Sequence, residues 1–297
     1  MQSIVGVLGL GIMGSAISAN LRRAGFRVIG FDVAADRLEV FSQAGGEAAN
    51  SPRRVADKAD IIIGLLPTVQ ALDDVVTGSD GILASRRPGL ILVESSTLPL
   101  EEKQRIRDAG QTEITMLDCP LSGTGAQAAT KDLSVYASGD PRACERCVPV
   151  FAGFARSHHY LGEFGNGSKM KFVANLLVAI HNVSSAEAFV LGMKAGLDPE
   201  TIYKVISDGA GSSRMFQVRG PLMVRGEYEP ATMKVETWQK DMKIIAEFAA
   251  GLNCPTPLFT ASASFYNAAM EQGRATQDTA AVCAVLEAMA KLDRGHA

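Results

Sequence analysis

Two groups of residues in this 297-residue chain have the types and spacing that chemistry requires. The first is Gly9-Leu10-Gly11-Ile12-Met13-Gly14, a G-x-G-x-x-G pattern. Alone the pattern is weak. It gains meaning between an apolar strand and a helix, and Ile4–Leu8 before it and Ser15–Ala24 after it read as those two elements. In that setting Gly9 permits a tight turn, Gly11 lets backbone approach a pyrophosphate, and Gly14 lets helix and strand pack closely. The helix N-terminus then offers N–H groups and a positive dipole end to the phosphates. Asp32 ends a second strand, Arg27–Phe31, 18 residues beyond Gly14. An acid there accepts from a ribose 2′-hydroxyl and repels a 2′-phosphate, which predicts NAD as cofactor over NADP. Arg37 is the nearby charge that can offset it, and FAD sites share the motif. The bland alternative is a glycine-rich turn without a ligand beside a surface carboxylate.

The second group is Gly165-Asn166-Gly167-Ser168-Lys169-Met170-Lys171-Phe172-Val173-Ala174-Asn175. Lys171 and Asn175 are four apart and share a helix face, with Asn182 on roughly the same stripe, while Lys169 points elsewhere. A lysine beside an amide and among Phe172, Val173, Leu176 and Leu177 is partly shielded from water. Shielding favours the neutral amine, which suits proton transfer. A lysine snorkelling off a helix start fits the same residues.

These groups need a frame. In the first half, apolar runs at Ala59–Leu66, Leu90–Val93 and Ile114–Leu117 join the two strands above, with Leu133–Ala137 and His158–Leu161 as further short strands. Pro99 opens a helix. Strands alternating with helices predict a doubly wound α/β sheet of the Rossmann kind. After Gly162 strand-like runs vanish. One long helix reads from Ser168 to Ala195, then helices at about 199 onward, 213–224, 231–250, 257–272 and 277–292. The expected organisation is a dinucleotide-binding domain at 1–163 and an all-helical domain at 164–297 that opens with a long interdomain helix.

Composition narrows the function classes. Apolar residues make up 47%, charged residues 21%, and the net charge is −3, so nothing draws the chain to nucleic acid or an anionic membrane. No apolar run of roughly 18 residues predicts a membrane span, and Met1-Gln2-Ser3-Ile4 lacks the basic start of a signal peptide. Five scattered cysteines argue against a disulfide framework and for a reducing cytoplasm. Cys144 and Cys147 form a C-x-x-C, but its spacing to His158 and His159 is wrong for zinc, and no metal is expected. Both thiols suit an amphipathic helix, Pro141–Phe151.

The glycine turn, Asp118-Cys119-Pro120-Leu121-Ser122-Gly123, and the Gly165-to-Asn175 helix, in that order, resemble the β-hydroxyacid dehydrogenase family. That family includes 3-hydroxyisobutyrate dehydrogenase, tartronate semialdehyde reductase and threonate dehydrogenase, with phosphogluconate dehydrogenase more distant. The resemblance covers nearly the whole chain. It implies an NAD-dependent oxidoreductase acting on a small 3-hydroxy acid, with Lys171 as general acid and base. By the same resemblance Asn175 holds the reacting oxygen, and Ser122, Gly123 and the adjoining Thr124 bind the substrate carboxylate. Leu66, Pro67, Thr97 and Lys240 would contact the cofactor together with Gly9 through Gly14 and Asp32. On pattern alone, the lesser alternative for Lys240-Asp241 is an exposed charge pair on a helix. Family members form dimers and tetramers through their helices, so a homo-oligomer is expected.

Two departures border the carboxylate site. Thr124 stands where the family usually has a second glycine, and the segment Gly125–Leu133 runs about two residues longer. Both bear on which acid is bound. Arg214, in Gly211-Ser212-Ser213-Arg214, can clamp a polar or anionic substrate tail, or pair with an acid at a subunit contact. A polar, aldonate-like acid is favoured on Thr124 and Arg214. Imine reductases share the two-domain fold but usually lack the lysine, so Lys171 argues against that alternative. Retention of Lys171, Asn175 and Ser122 argues against a non-catalytic dinucleotide-binding protein.

Overall fold

A computed structural model describes residues 4–294; of the Met1-Gln2-Ser3-Ile4 start, Met1–Ser3 lie outside the described residues. The chain divides into two compact units, Met1–Lys171 and Phe172–Ala297.

The first unit is a Rossmann-type domain. Strands β1 (Ile4–Leu8), β2 (Arg27–Phe31), β3 (Glu47–Ala48), β4 (Ile61–Gly64), β5 (Ile91–Glu94) and β6 (Thr115–Asp118) lie parallel in the order 3-2-1-4-5-6. Such strands are buried on both faces and therefore read as continuous Val, Ile and Leu runs. Alternation divides them between two cores. Val5, Val7, Ile61, Ile63, Ile91 and Val93 pack with Ile17, Leu21 and Phe151. Leu8, Ile29, Ile62 and Leu92 pack with Val55, Leu72 and Ile106. The helices of this unit are α1 (Ile12–Arg23), α2 (Ala35–Gln43), α3 (Pro52–Ala56), α4 (Val69–Thr77), α5 (Leu100–Ala109), α6 (Gly125–Ala129) and α7 (Pro141–Phe154). Helix α1 begins at Ile12, earlier than the expected Ser15, because the last residues of the glycine turn already form its first turn.

Strands β7 (Leu121–Ser122), β8 (Ser134–Ala137) and β9 (Ser157–Tyr160) form a separate three-stranded sheet. They do not extend the parallel sheet. The edge of β6 is closed by Asp118, whose N–H donates to the Ser138 carbonyl at 2.9 Å while the Ser138 N–H donates back at 2.9 Å. At the opposite edge, β3 has two residues, and its Glu47 pairs with Lys58 at 2.5 Å and Arg27 at 3.4 Å.

The two units meet within α8 (Asn166–Lys194), between Lys171 and Phe172. By length and composition α8 can cross a membrane, with an 18-residue window of mean hydropathy 1.5. The run that seemed too short for a span becomes long enough because a few polar residues are tolerated within it. Two of these, Asn175 and Asn182, are buried and hydrogen-bonded to side chains of the helical unit, as in the core helix of a globular domain.

Apart from an isolated bridge between Lys234 and Asp278, the described residues of the second unit form helices and turns. Helices α9 (Pro199–Ser207), α10 (Arg214–Arg225), α11 (Val235–Gly251), α12 (Pro257–Glu271) and α13 (Val282–Met289) follow α8. Asp198 and Ser213 cap α9 and α10 through their side chains. The expected helices at 231–250 and 277–292 both start late, and one carboxylate explains both. Buried Asp278 accepts from Thr232 N–H at 2.9 Å, Thr232 Oγ1 at 2.7 Å, Met233 N–H at 3.2 Å and Ala280 N–H at 3.0 Å, and it pairs with buried Arg219. Holding those donors keeps residues 232–234 out of α11 and turns Thr279–Ala281 into a 3-10 segment ahead of α13.

Burial raises the Asp278 pKa, but Arg219 and the surrounding donors outweigh it and hold the carboxyl below its ordinary value. Its stabilising contribution is therefore complete above the ordinary carboxylate range and is lost as pH falls through and below it. Asp278→Asn should cost about 3–5 kcal/mol at neutral pH, because it strands a buried guanidinium. It should also flatten the acid limb of a thermal-unfolding profile followed by circular dichroism; a variant as acid-sensitive as the parent would contradict this assignment.

Candidate active site

The carboxyl ends of β1 and β4 are where strand order reverses and where a crevice opens in a doubly wound sheet. The glycine turn lies there. Gly9 has φ +90°, and a Cβ on it would strike the Leu65 carbonyl; a Cβ on Gly14 would strike the Gly9 carbonyl. Those two glycines are demanded by the fold itself. Gly11 is not. Its φ is −66°, open to any residue, and the nearest atom to a Cβ there is Arg37 Nη1 at 3.8 Å. A glycine with free space in front of it fits the close approach of a bound group. No side chain caps α1 at Gly11, and its first turn carries no acid. Both features suit a pyrophosphate, and the residues present fit a dinucleotide.

Asp32 is 6% exposed. Its Oδ2 accepts from the Leu10 N–H at 2.7 Å and its Oδ1 from the Ala34 N–H at 2.9 Å, with Arg37 Nη1 at 3.4 Å. The carboxylate thus ties the glycine turn to the end of β2. The next loops are ordered in turn. Leu66 donates its N–H to Ser96 Oγ at 2.8 Å, and Ser96 donates its own N–H to Glu94 Oε1 at 2.9 Å. Leu66 is buried, Pro67 exposed and Thr97 half-buried beside Ser96.

Beneath these loops is a cluster that sequence reasoning missed. Lys103 of α5 is fully buried, as are Glu94 and Asp118. Lys103 Nζ lies 2.5 Å from Glu94 Oε2, 2.8 Å from Asp118 Oδ1 and 3.2 Å from Ser168 Oγ. Burial pushes the lysine pKa down, but the attraction of Asp118 and Glu94 prevails and raises it above the ordinary lysine range, so the ammonium stays charged. Asp118 Oδ1 also accepts from Ser168 Oγ at 2.7 Å, and its Oδ2 from Ser168 N–H at 2.7 Å. The signal was present in α5: Lys103 stands midway between buried Leu100 and Ile106, within the apolar stripe.

This cluster holds the start of α8. Gly165 takes φ +97°, and a Cβ on Gly167 would meet the Tyr136 and Asp118 carbonyls. The Gly167 N–H donates to Ser138 Oγ at 2.9 Å. The two glycines of the lysine helix therefore serve a turn and a close approach to the sheet. Lys171, half-buried, follows Ser168 by three residues on that helix.

Ser122 ends β7. Gly123 has φ +135°, and a Cβ there would press on Leu133. Thr124 has a structural role as well. It caps α6 in a capping box with Gln127, whose Oε1 accepts from the Thr124 N–H at 3.0 Å. The longer segment is thus a short helix docked on α1. Asn20 donates to the Ala128 carbonyl at 2.7 Å, and a Cβ on Gly125 would strike Ile12 in the first turn of α1.

In the helical unit, Asn175 on α8 is buried and donates from Nδ2 to Asp241 Oδ2 at 3.0 Å. Lys240 Nζ lies 3.8 Å from Asp241 Oδ1, with the lysine half-exposed. Asp241 is therefore the group that orients Asn175, a role not visible in the Lys-Asp pattern. Arg214 is the exposed first residue of α10. Cys144 and Cys147 lie on the buried side of α7, where burial pushes their thiols up to about 11 and about 12.

Residues 4–162 match the family described as the NAD binding domain of 6-phosphogluconate dehydrogenase. Residues 165–286 match the family described as NAD-binding of NADP-dependent 3-hydroxyisobutyrate dehydrogenase. The chain is 33% identical over 284 residues to an L-threonate dehydrogenase of Cupriavidus necator, covering 95% of each. Among solved structures it is similar to a 3-hydroxyisobutyrate dehydrogenase of Salmonella typhimurium, with TM-score 0.86, 30% identity and coverage of 96% and 100%. It is likewise similar to a 3-hydroxyisobutyrate dehydrogenase of Mycobacterium tuberculosis solved with L-serine, with TM-score 0.86, 28% identity and coverage of 96% and 99%.

The glycines separate by substitution. Gly11→Ala should leave the unfolding free energy within about 1 kcal/mol of the parent, since a methyl fits there without strain, while weakening NADH binding at least tenfold in a fluorescence titration. Gly14→Ala should lower stability and binding together. Equal NADH affinity in Gly11→Ala and the parent would remove the pyrophosphate from this turn.

Proposed function

The chain belongs to the β-hydroxyacid dehydrogenase family, and on that premise we propose that it is an NAD-dependent oxidoreductase of a small, polar 3-hydroxy acid. The observation that carries this reading is the double hydrogen bond from Ser168 to Asp118. It brings the helix turn bearing Lys171 to the same sheet edge as the glycine turn. Gly9 through Gly14 hold the pyrophosphate, Asp32 the adenosine ribose, and Leu66, Pro67 and Thr97 flank the rest of the cofactor; family resemblance adds Lys240. Nicotinamide, when bound, accepts or returns the hydride.

The chain's own residues then do the following. In oxidation Lys171 takes the hydroxyl proton as the carbinol C–H electron pair departs as hydride and the C=O bond forms. In reduction it returns that proton to the oxygen. Asn175, held by Asp241, steadies the reacting oxygen. Ser122 and the Gly123 N–H bind the substrate carboxylate with neutral donors, so no opposite charge competes with Lys171 for it. Arg214 supplies a further donor set for a hydroxylated tail. The threonate relative supports a polyhydroxy acid as the substrate class. Thr124 acts there indirectly, by shaping the α6 cap.

The expected cofactor preference follows from Asp32, whose charge repels a 2′-phosphate while Arg37 at 3.4 Å offsets part of that repulsion. NADH should therefore bind at least tenfold tighter than NADPH, and Asp32→Asn should narrow the gap; an unchanged ratio would assign the preference elsewhere.

The reaction is tested with NAD and a panel of aldonates, 3-hydroxyisobutyrate and L-serine, following reduced-cofactor absorbance. Lys171→Ala should lower turnover by about 10²–10⁴ and leave NADH binding within twofold. Normal turnover in Lys171→Ala, or none in the parent with any acid despite tight NAD binding, would end this reading.

A further inference from the structure

We propose that Lys103 is a positioning residue, a buried ammonium that sets the cofactor loops and the Lys171 helix from a single point. The proposal rests on the dehydrogenase reading above and deepens it. Two arms leave the ammonium. One runs through Glu94 to the Ser96 N–H, and from Ser96 Oγ to the Leu66 N–H, which orders the loops after β4 and β5. The other runs through Asp118 to both the N–H and the hydroxyl of Ser168. Lys103 also reaches Ser168 Oγ directly at 3.2 Å.

Fold alone does not call for this arrangement. Two carboxylates and one ammonium, all without solvent exposure, carry an excess negative charge into a core. A buried ion cluster of this kind often adds little stability over a well-packed apolar one, and its attested use is to fix one register. The register fixed here is that of the first turn of α8 against the carboxyl edge of the sheet. Ser168 is its contact, and Lys171 lies three residues on. A displacement of about 1 Å at the reacting group can cost about a hundredfold in rate, so a stiff anchor three residues from the proton-transfer amine acts on the chemical step. The Glu94 arm acts on a different quantity, the grip on the cofactor.

The two arms make the test. Ser168→Ala keeps all three buried charges and the Ser168 N–H bond to Asp118, so the fold is retained. It should lower kcat about tenfold to a hundredfold with NADH affinity within twofold. Ser96→Ala should do the reverse, weakening NADH binding with a smaller change in kcat. The double variant Lys103→Met/Glu94→Gln removes one charge of each sign; it should show both defects, and adding Ser168→Ala should lower kcat no further. A second readout is independent of any substrate: trace acetylation of Lys171, read by peptide mass spectrometry, should change rate in Ser168→Ala and in the double variant. If Ser168→Ala lowers only the thermal midpoint, with Lys171 acetylation and kcat as in the parent, Lys103 is structural and the proposal falls. It falls equally if the Ser168 and Lys103 effects on kcat are additive. If the parent turns over no acid, the dehydrogenase reading fails by itself, and the acetylation rates still decide whether Lys103 positions Lys171.

Discussion

The buried ammonium of Lys103 has no water to turn to. Lys103 sits between Glu94 and Asp118 at the ends of two neighbouring strands, and each carboxylate spends its second oxygen on a backbone N–H from the segment it must hold. The cost of desolvating three ions is offset only while all these partners stay in place. Such a cluster tolerates one arrangement of β5, β6, α5 and the start of α8 and penalises every other. The loops after β4 and β5 and the start of the lysine helix are tied to that arrangement.

The helical unit uses the same device for its own architecture. Asp278 collects Arg219 and donors from residues 232, 233 and 280, and so decides where two helices begin. Asp241 does on a smaller scale for Asn175 what Asp118 does for Ser168. In each case a carboxylate aims a neighbouring polar group, and hydrophobic packing around it supplies the rigidity.

Patterns that arise from burial were legible in the chain, and those that arise from long-range polar pairing were not. The parallel strands announced themselves as Ile61–Ile63 and Ile91–Val93, and the glycine turn by its flanks. The start of α1 was missed by one turn because Gly11 caps it with backbone alone. The late starts of α11 and α13 were hidden because residues 232 and 278 meet only in three dimensions. The capping box of Thr124 with Gln127 three residues later was a signal present in the sequence and passed over. Lys103 could have been found as the one cation in the apolar stripe of α5. Its partners could not, since nothing local relates residue 103 to residues 94, 118 and 168.

The edges of the two sheets have a consequence of another kind. An open parallel sheet offers its outer strands as templates on which a second chain can add, the first step toward insoluble aggregates. Here one outer strand is two residues long and carries Glu47 between two cations, the opposite one is closed by Ser138, and the small sheet ends in the polar run Ser157-His158-His159-Tyr160. None of these offers a long apolar strand to a newcomer. The core of Ile and Val strands is thus flanked by edges that are short, charged or already bridged.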